Sequence, residues 1–233
     1  MTSIAARLGD LRRGERFFLA LVANLQDADF ETPSLLPGWT RAHVVAHVAR
    51  NADALRNLLT WARTGVETPM YVSPDQRAND IDRSSGHARI DLRRDAETAS
   101  SRLLHAADAL PDEAWSAEVH TATGRRISTE EVPWLRLRET WVHAVDLGVG
   151  ATFGDVPGAV VHQLIDEVAG GLGGRPDCPA VIMTDGVRLW SIGPGGEAVA
   201  RVTGSQTAIL AWLIGRADGS DLEGSAPQLP SWL

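Results

Sequence analysis

Two histidines four residues apart, His43 and His47, stand in the stretch "GWTRAHVVAHVARN". On a helix that spacing puts both rings on one side, a turn apart, where they can reach a single metal ion. Two surface histidines are the alternative. A second pair with the same spacing, Glu139 and His143, lies in "RLRETWVHAVDLG". A carboxylate and an imidazole share a face there, and metal sites of helical bundles are built from such inward ligands on facing helices. On the helical wheel His47 falls about 70° from the centre of the apolar stripe Val44, Val48, Leu55, Leu59 and Ala62, and His43 about 110° away, so His47 is the one that looks into a bundle. Glu139 and His143 lie opposite Trp134, Trp141 and Val145, beside Arg136 and Asp146, and their alternative is a solvated polar strip. If that strip faces a cleft, His47, Glu139 and His143 form an N,N,O set with positions open to water or substrate, which suits catalytic zinc.

Other chemistries fit less well. A zinc-peptidase helix needs Glu directly after its first histidine, where this chain has Val44. There is no GxSxG elbow, and Cys178, in the loop "RPDCPA", has no neighbouring histidine and reads as a small space-filler. As the only cysteine it makes no internal disulfide, which suits a reducing compartment and points to the cytoplasm. With 22 basic against 30 acidic residues, a net charge of -8 and no run of Lys or Arg, the chain lacks the footprint that nucleic acid or an anionic membrane requires. Charges interrupt the N-terminal segment where a signal peptide needs an apolar core, and no later stretch has the apolar length of a membrane span.

Apolar residues at helical spacing predict a first helix over about residues 3–27 and a second that starts after an N-cap at Thr40 and stops at Gly65. "VETPMYVSPDQR" reads as a Pro-punctuated loop, with helix formers returning around Asp80. A third helix is expected at roughly Ile90 to Leu110, ended by Pro111. After the polar connection "HTATGRRISTEEV", a fourth carries Glu139 and His143 and closes at Gly148. The fold class is thus mainly α, with an antiparallel four-helix bundle over residues 1–153. Residues 154–233 change character: a helix near 158–171, two strand-like runs around Asp185-Gly186 suited to a type I′ hairpin turn, an alternating run "EAVARVTG", and a helix capped by Ser205. They predict a small α+β domain with an antiparallel sheet. The chain is expected to be a monomer.

The segments "LLPGWTRAHVVAHVARN", "WARTGVETPMYVSP", "RLRETWVHAVDLG", "TFGDVP" and "GRADG" together resemble the mycothiol-dependent maleylpyruvate isomerases, in order and over nearly the whole chain. "TGVETPMYVSP" is the most telling of them, because metal ligation does not explain it. The resemblance implies a DinB-like metal-binding bundle and zinc ligands at His47, Glu139 and His143, with His43 left out. It also implies a substrate-binding, catalytic arginine at Arg216 in "GRADG", whose alternative is a cap on the helix ending at Gly215. The implied cofactors are zinc and mycothiol, and the implied reaction turns maleylpyruvate, a diacid from gentisate ring cleavage, into fumarylpyruvate. A thiolate adds to one alkene carbon, the former double bond rotates in the enolate, and the thiol is expelled. Zinc would keep the thiol ionised, and Arg216 would fix a substrate carboxylate. The rival readings are a mycothiol S-transferase acting on another electrophile and a non-catalytic zinc- or thiol-binding protein.

Overall fold

The structure, a computed structural model, describes residues 3–232. The chain divides between Gly150 and Ala151 into two compact units.

In the first unit, α1 (Ile4–Asn24) is opened by Ser3, whose side chain accepts from the Ala6 N–H, and α2 (Arg41–Thr64) is stopped by Gly65 in the left-handed conformation. Then come α3 (Pro74–Ser85), α4 (Arg89–Asp108) and α5 (Val132–Asp146). The four long helices α1, α2, α4 and α5 form the bundle: α2 packs on α4 and α5, and α1 packs on the same two. Its core is filled by fully buried Leu11, Phe18, Val45, Leu55, Leu58 and Leu103. Truncating any of these to alanine removes apolar burial and leaves a cavity, at a cost of about 2–5 kcal/mol. Glycine at position 14 lets α1 approach α5 closely, since a Cβ there would meet Thr140 Oγ1 at 2.5 Å.

Two elements depart from the sequence reading. Part of the expected loop is helical: Ser73 caps α3 and Pro74 begins it, a pairing that starts a helix efficiently although Ile81 is its one buried apolar residue. The expected polar connection holds a short antiparallel hairpin, β1 (Glu118–His120) with β2 (Arg126–Ser128), whose central Val119 and Ile127 are buried.

The second unit contains α6 (Gly158–Leu172), β3 (Val181–Thr184), β4 (Leu189–Ile192), β5 (Ala200–Thr203) and α7 (Gln206–Leu213). The strand order is β4-β3-β5, with α6 packed on β4 and α7. Trp190 on β4 donates its indole N–H to Asp166 on α6 at 2.7 Å. The sheet is mixed, not antiparallel throughout: β4 runs against β3, but β5 is parallel to it. β4 ends level with the start of β3, and the chain then crosses to the far edge of β3 and sets out from that same end, so β5 must run with β3. The hairpin turn is also longer than expected, because Thr184 pairs with Leu189 and four residues lie between them. Asp185 keeps a negative φ, and its carboxylate accepts from the N–H groups of Val187 and Arg188, which stabilises the wider loop. Among the described residues no helix is long and apolar enough to cross a membrane.

Candidate metal centre

The histidine spacing on α2 separates into two roles. His43 is turned back to the start of its own helix: its Nδ1 accepts from the Thr40 N–H at 3.3 Å and lies 2.8 Å from Thr40 Oγ1, completing a capping box. One turn later His47 is 5% exposed and directed at α5. Its Nε2 lies 3.1 Å from Glu139 Oε2 and 3.0 Å from His143 Nε2, and these two are 3.4 Å apart. Ligand atoms bound at zinc distances in a tetrahedral arrangement are separated by about 3.3 Å, so this triangle fits one zinc ion. The structure brings together the three residues expected from the sequence, and among the described residues the cluster includes no fourth histidine, cysteine or carboxylate ligand. The polar strip of α5 is therefore not a solvated face.

Two neighbours explain how α2 and α5 hold this geometry. Asp146, fully buried, has its Oδ2 2.9 Å from His143 Nδ1, which places a proton on Nδ1 and leaves the Nε2 lone pair for a metal. Arg136, 1% exposed, binds Glu15 of α1 through two nitrogens at 2.6 and 3.2 Å, and donates to the Val48 carbonyl at 2.6 Å and to Asn51 at 3.0 Å. It thus fastens the α2 backbone immediately after His47 to α5 three residues before Glu139. Arg136→Met would leave Glu15 buried without its partner, and an expected loss of about 3–5 kcal/mol should show in denaturant melts. Neither role was read from the sequence. Asp146 carried a signal, a carboxylate one turn beyond a ligand histidine, whereas the burial of Arg136 depends on what α1 and α2 present to it.

The electrostatics of these side chains follow from this crowding. Burial lowers the pKa of His47 to about 4, despite its hydrogen bond to Glu139. Burial also works against charge on His143, but hydrogen bonds to Asp146 and Glu139 override it and raise its pKa to about 9. Burial opposes charge on Glu139 too, yet the hydrogen bonds from His143 and His47 hold its carboxyl well below the usual range. Near neutral pH only His143 then holds a proton that a metal must displace. We predict that zinc uptake releases about one proton per ion at neutral pH, and that affinity rises with pH towards 9 and flattens above it. Calorimetry in buffers of different ionisation enthalpy measures this; uptake without proton release would contradict the assigned protonation.

Arg216 lies in the second unit, two residues beyond the Ile214 cap of α7, and its Nη1 donates to the Ile214 carbonyl at 2.7 Å. It lines a cavity of 780 Å³ with Trp212, Asp218, Pro227 and Trp232. Cys178 is 2% exposed, and burial pushes its thiol pKa up, away from the nucleophilic thiolate.

Residues 11–148 match the family described as mycothiol maleylpyruvate isomerase N-terminal domain, and residues 155–231 match the C-terminal domain of the same isomerases. A crystal structure of the mycothiol-dependent maleylpyruvate isomerase is similar over 99% of this chain and 98% of that one, with 36% identity and a TM-score of 0.95. A histidine-to-alanine mutant of that isomerase gives the same identity, coverage and TM-score. No curated protein sequence matches the chain. With both units matched in order and a solved relative aligned almost end to end, the chain belongs to the mycothiol-dependent maleylpyruvate isomerase family.

Proposed function

We propose that the chain converts maleylpyruvate to fumarylpyruvate at a zinc centre held by His47, Glu139 and His143, using mycothiol as an external thiol. The observation that carries this reading is the three-sided ligand cluster, which leaves a coordination position for a sulfur ligand. Zinc supplies the positive charge that keeps a thiol ionised near neutral pH, and mycothiol supplies the sulfur whose reversible addition to the alkene frees the bond to rotate. The protein's own part is to hold two imidazoles and one carboxylate around the ion, with Asp146 keeping a proton on His143 Nδ1 when Nε2 gives up its own to the metal. Arg216, in this reading, pairs with a substrate carboxylate and stabilises the enolate charge. A low-molecular-weight thiol cofactor and a single buried cysteine are consistent with work in the cytoplasm.

An isomerase regenerates its thiol, whereas an S-transferase consumes it. With substrate in large excess over mycothiol, we expect many turnovers per thiol and no loss of free thiol. Cys178→Ser should keep wild-type turnover. One-to-one consumption of mycothiol would identify a transferase, and zinc binding without turnover a carrier; full turnover with no added or copurified thiol would remove the external nucleophile from the mechanism.

A further inference from the structure

The segment "TGVETPMYVSP", which metal ligation does not explain, leads directly to the ligand cluster. Asn57 of α2 donates to the Pro69 carbonyl at 3.2 Å, and the Val72 N–H donates to Gln76 Oε1 at 3.1 Å, so the loop is tied at both ends of Tyr71. Ser73 and Pro74 then start α3, and one turn in, Arg77 places Nη2 3.2 Å from His47 Nδ1. Its guanidinium also lies over the Tyr71 ring, 5.7 Å from the centroid. We propose that Arg77 binds a carboxylate of the substrate beside the metal centre; this rests on the proposed function and adds a second anion-binding residue to it.

Three observations support the assignment. Among the described residues no carboxylate lies within ion-pair distance of Arg77, although nearby arginines are so paired: Arg50 with Asp95 at 2.7 Å, Arg83 with Asp80, Arg89 with Glu31. In a chain of net charge -8, a half-buried guanidinium held by an imidazole and a phenol ring retains its capacity for an anion. Second, the contact has no acceptor once His47 ligates a metal. A histidine that ligates through Nε2 carries its proton on Nδ1, and arginine offers only donors, so the two do not bond in a loaded site. Asp146 gives His143 the acceptor that suits a ligand; Arg77 gives His47 none, and its fork is left to an incoming acceptor. Third, Nδ1 is on the far side of the ring from the ligand triangle. An anion on Arg77 is therefore set across the His47 ring from the metal position, out of reach of direct ligation, which suits a planar carboxylate paired by two N–H groups better than a metal-bound sulfur.

The test compares zinc-loaded wild type with Arg77→Gln and Arg77→Lys. Readouts are zinc content, mycothiol affinity by calorimetry, binding of maleate as a dicarboxylate probe, and steady-state kinetics with maleylpyruvate. Arg77→Gln should keep its zinc, change mycothiol affinity by less than about 3-fold, bind maleate about 10-fold more weakly and lose on the order of 100-fold in kcat/KM, with Arg77→Lys recovering part of that loss. Unchanged maleate binding and kinetics in Arg77→Gln, or a wild type that does not bind maleate, would overturn the carboxylate site. Loss of zinc in Arg77→Gln would also overturn it, leaving Arg77 as a support for His47. If wild type fails to isomerise maleylpyruvate but maleate binding falls on substitution, the site stands and the proposed function fails. If wild type isomerises and both variants match it, the reverse holds.

Discussion

His47→Ala is expected to fold, to purify without zinc and to lose isomerase activity entirely. The substitution removes one of three ligand atoms that lie 3.0 to 3.4 Å apart, and a two-ligand remnant of Glu139 and His143 has no geometric preference for the ion. Loss of an outer partner of a ligand histidine typically costs 10–100-fold in metal affinity, so loss of the ligand itself should exceed about 100-fold. The neighbouring residues make the result specific. His43→Ala removes half of a capping box and should lower stability by about 1 kcal/mol while zinc content stays at wild-type level. Asp146→Ala should fall between the two, weakening zinc by about 10–100-fold, because His143 then lacks the acceptor that fixes its proton. Metal analysis and chelator competition on the three variants give this order. A His43→Ala protein without zinc beside a His47→Ala protein with zinc would invert the ligand assignment.

Arg216→Ala and Arg216→Lys should both fold and retain zinc, yet isomerise poorly. The capping alternative has a concrete basis, since Arg216 donates to the Ile214 carbonyl at the end of α7. That contact is local, and its loss should cost well under about 1 kcal/mol of stability. A carboxylate clamp that strengthens as the enolate forms is worth on the order of 2–4 kcal/mol in the transition state, or roughly 30- to 1000-fold in rate. Lysine keeps the charge but not the planar fork, so Arg216→Lys should remain well below wild type. Melting temperatures beside kcat/KM separate the roles: near-normal catalysis in both variants, with a small drop in Tm, would return Arg216 to capping.

What could be read from the sequence follows from how locally each feature is encoded. Helices α1, α2, α4 and α5 were legible because each carries a long apolar stripe and a definite start or stop, such as Thr40 and Gly65 around α2. Helix α3 was not, because "PDQRANDIDRSS" buries one apolar side chain and its signal is a Ser-Pro start inside a run that also reads as loop. The mixed sheet was not, because nothing within β5 says which edge of β3 it will join. At the centre, the four-residue spacings and the wheel pointed to His47 over His43, and the resemblance named the family that both domain matches show. The surrounding shell was hidden: Arg136 and Arg77 are polar residues on polar-looking faces, and only the packing of α1 and α2 against α5, and of α3 against α2, decides what they touch.

The most direct measurement is turnover of maleylpyruvate by the purified, zinc-loaded protein with and without mycothiol, followed by loss of substrate absorbance and by identification of the product. We predict rapid formation of fumarylpyruvate that needs both zinc and catalytic mycothiol and that His47→Ala abolishes. Turnover that survives removal of either one, or a stable mycothiol adduct in place of the trans isomer, would contradict a zinc-held external thiolate as the isomerising nucleophile.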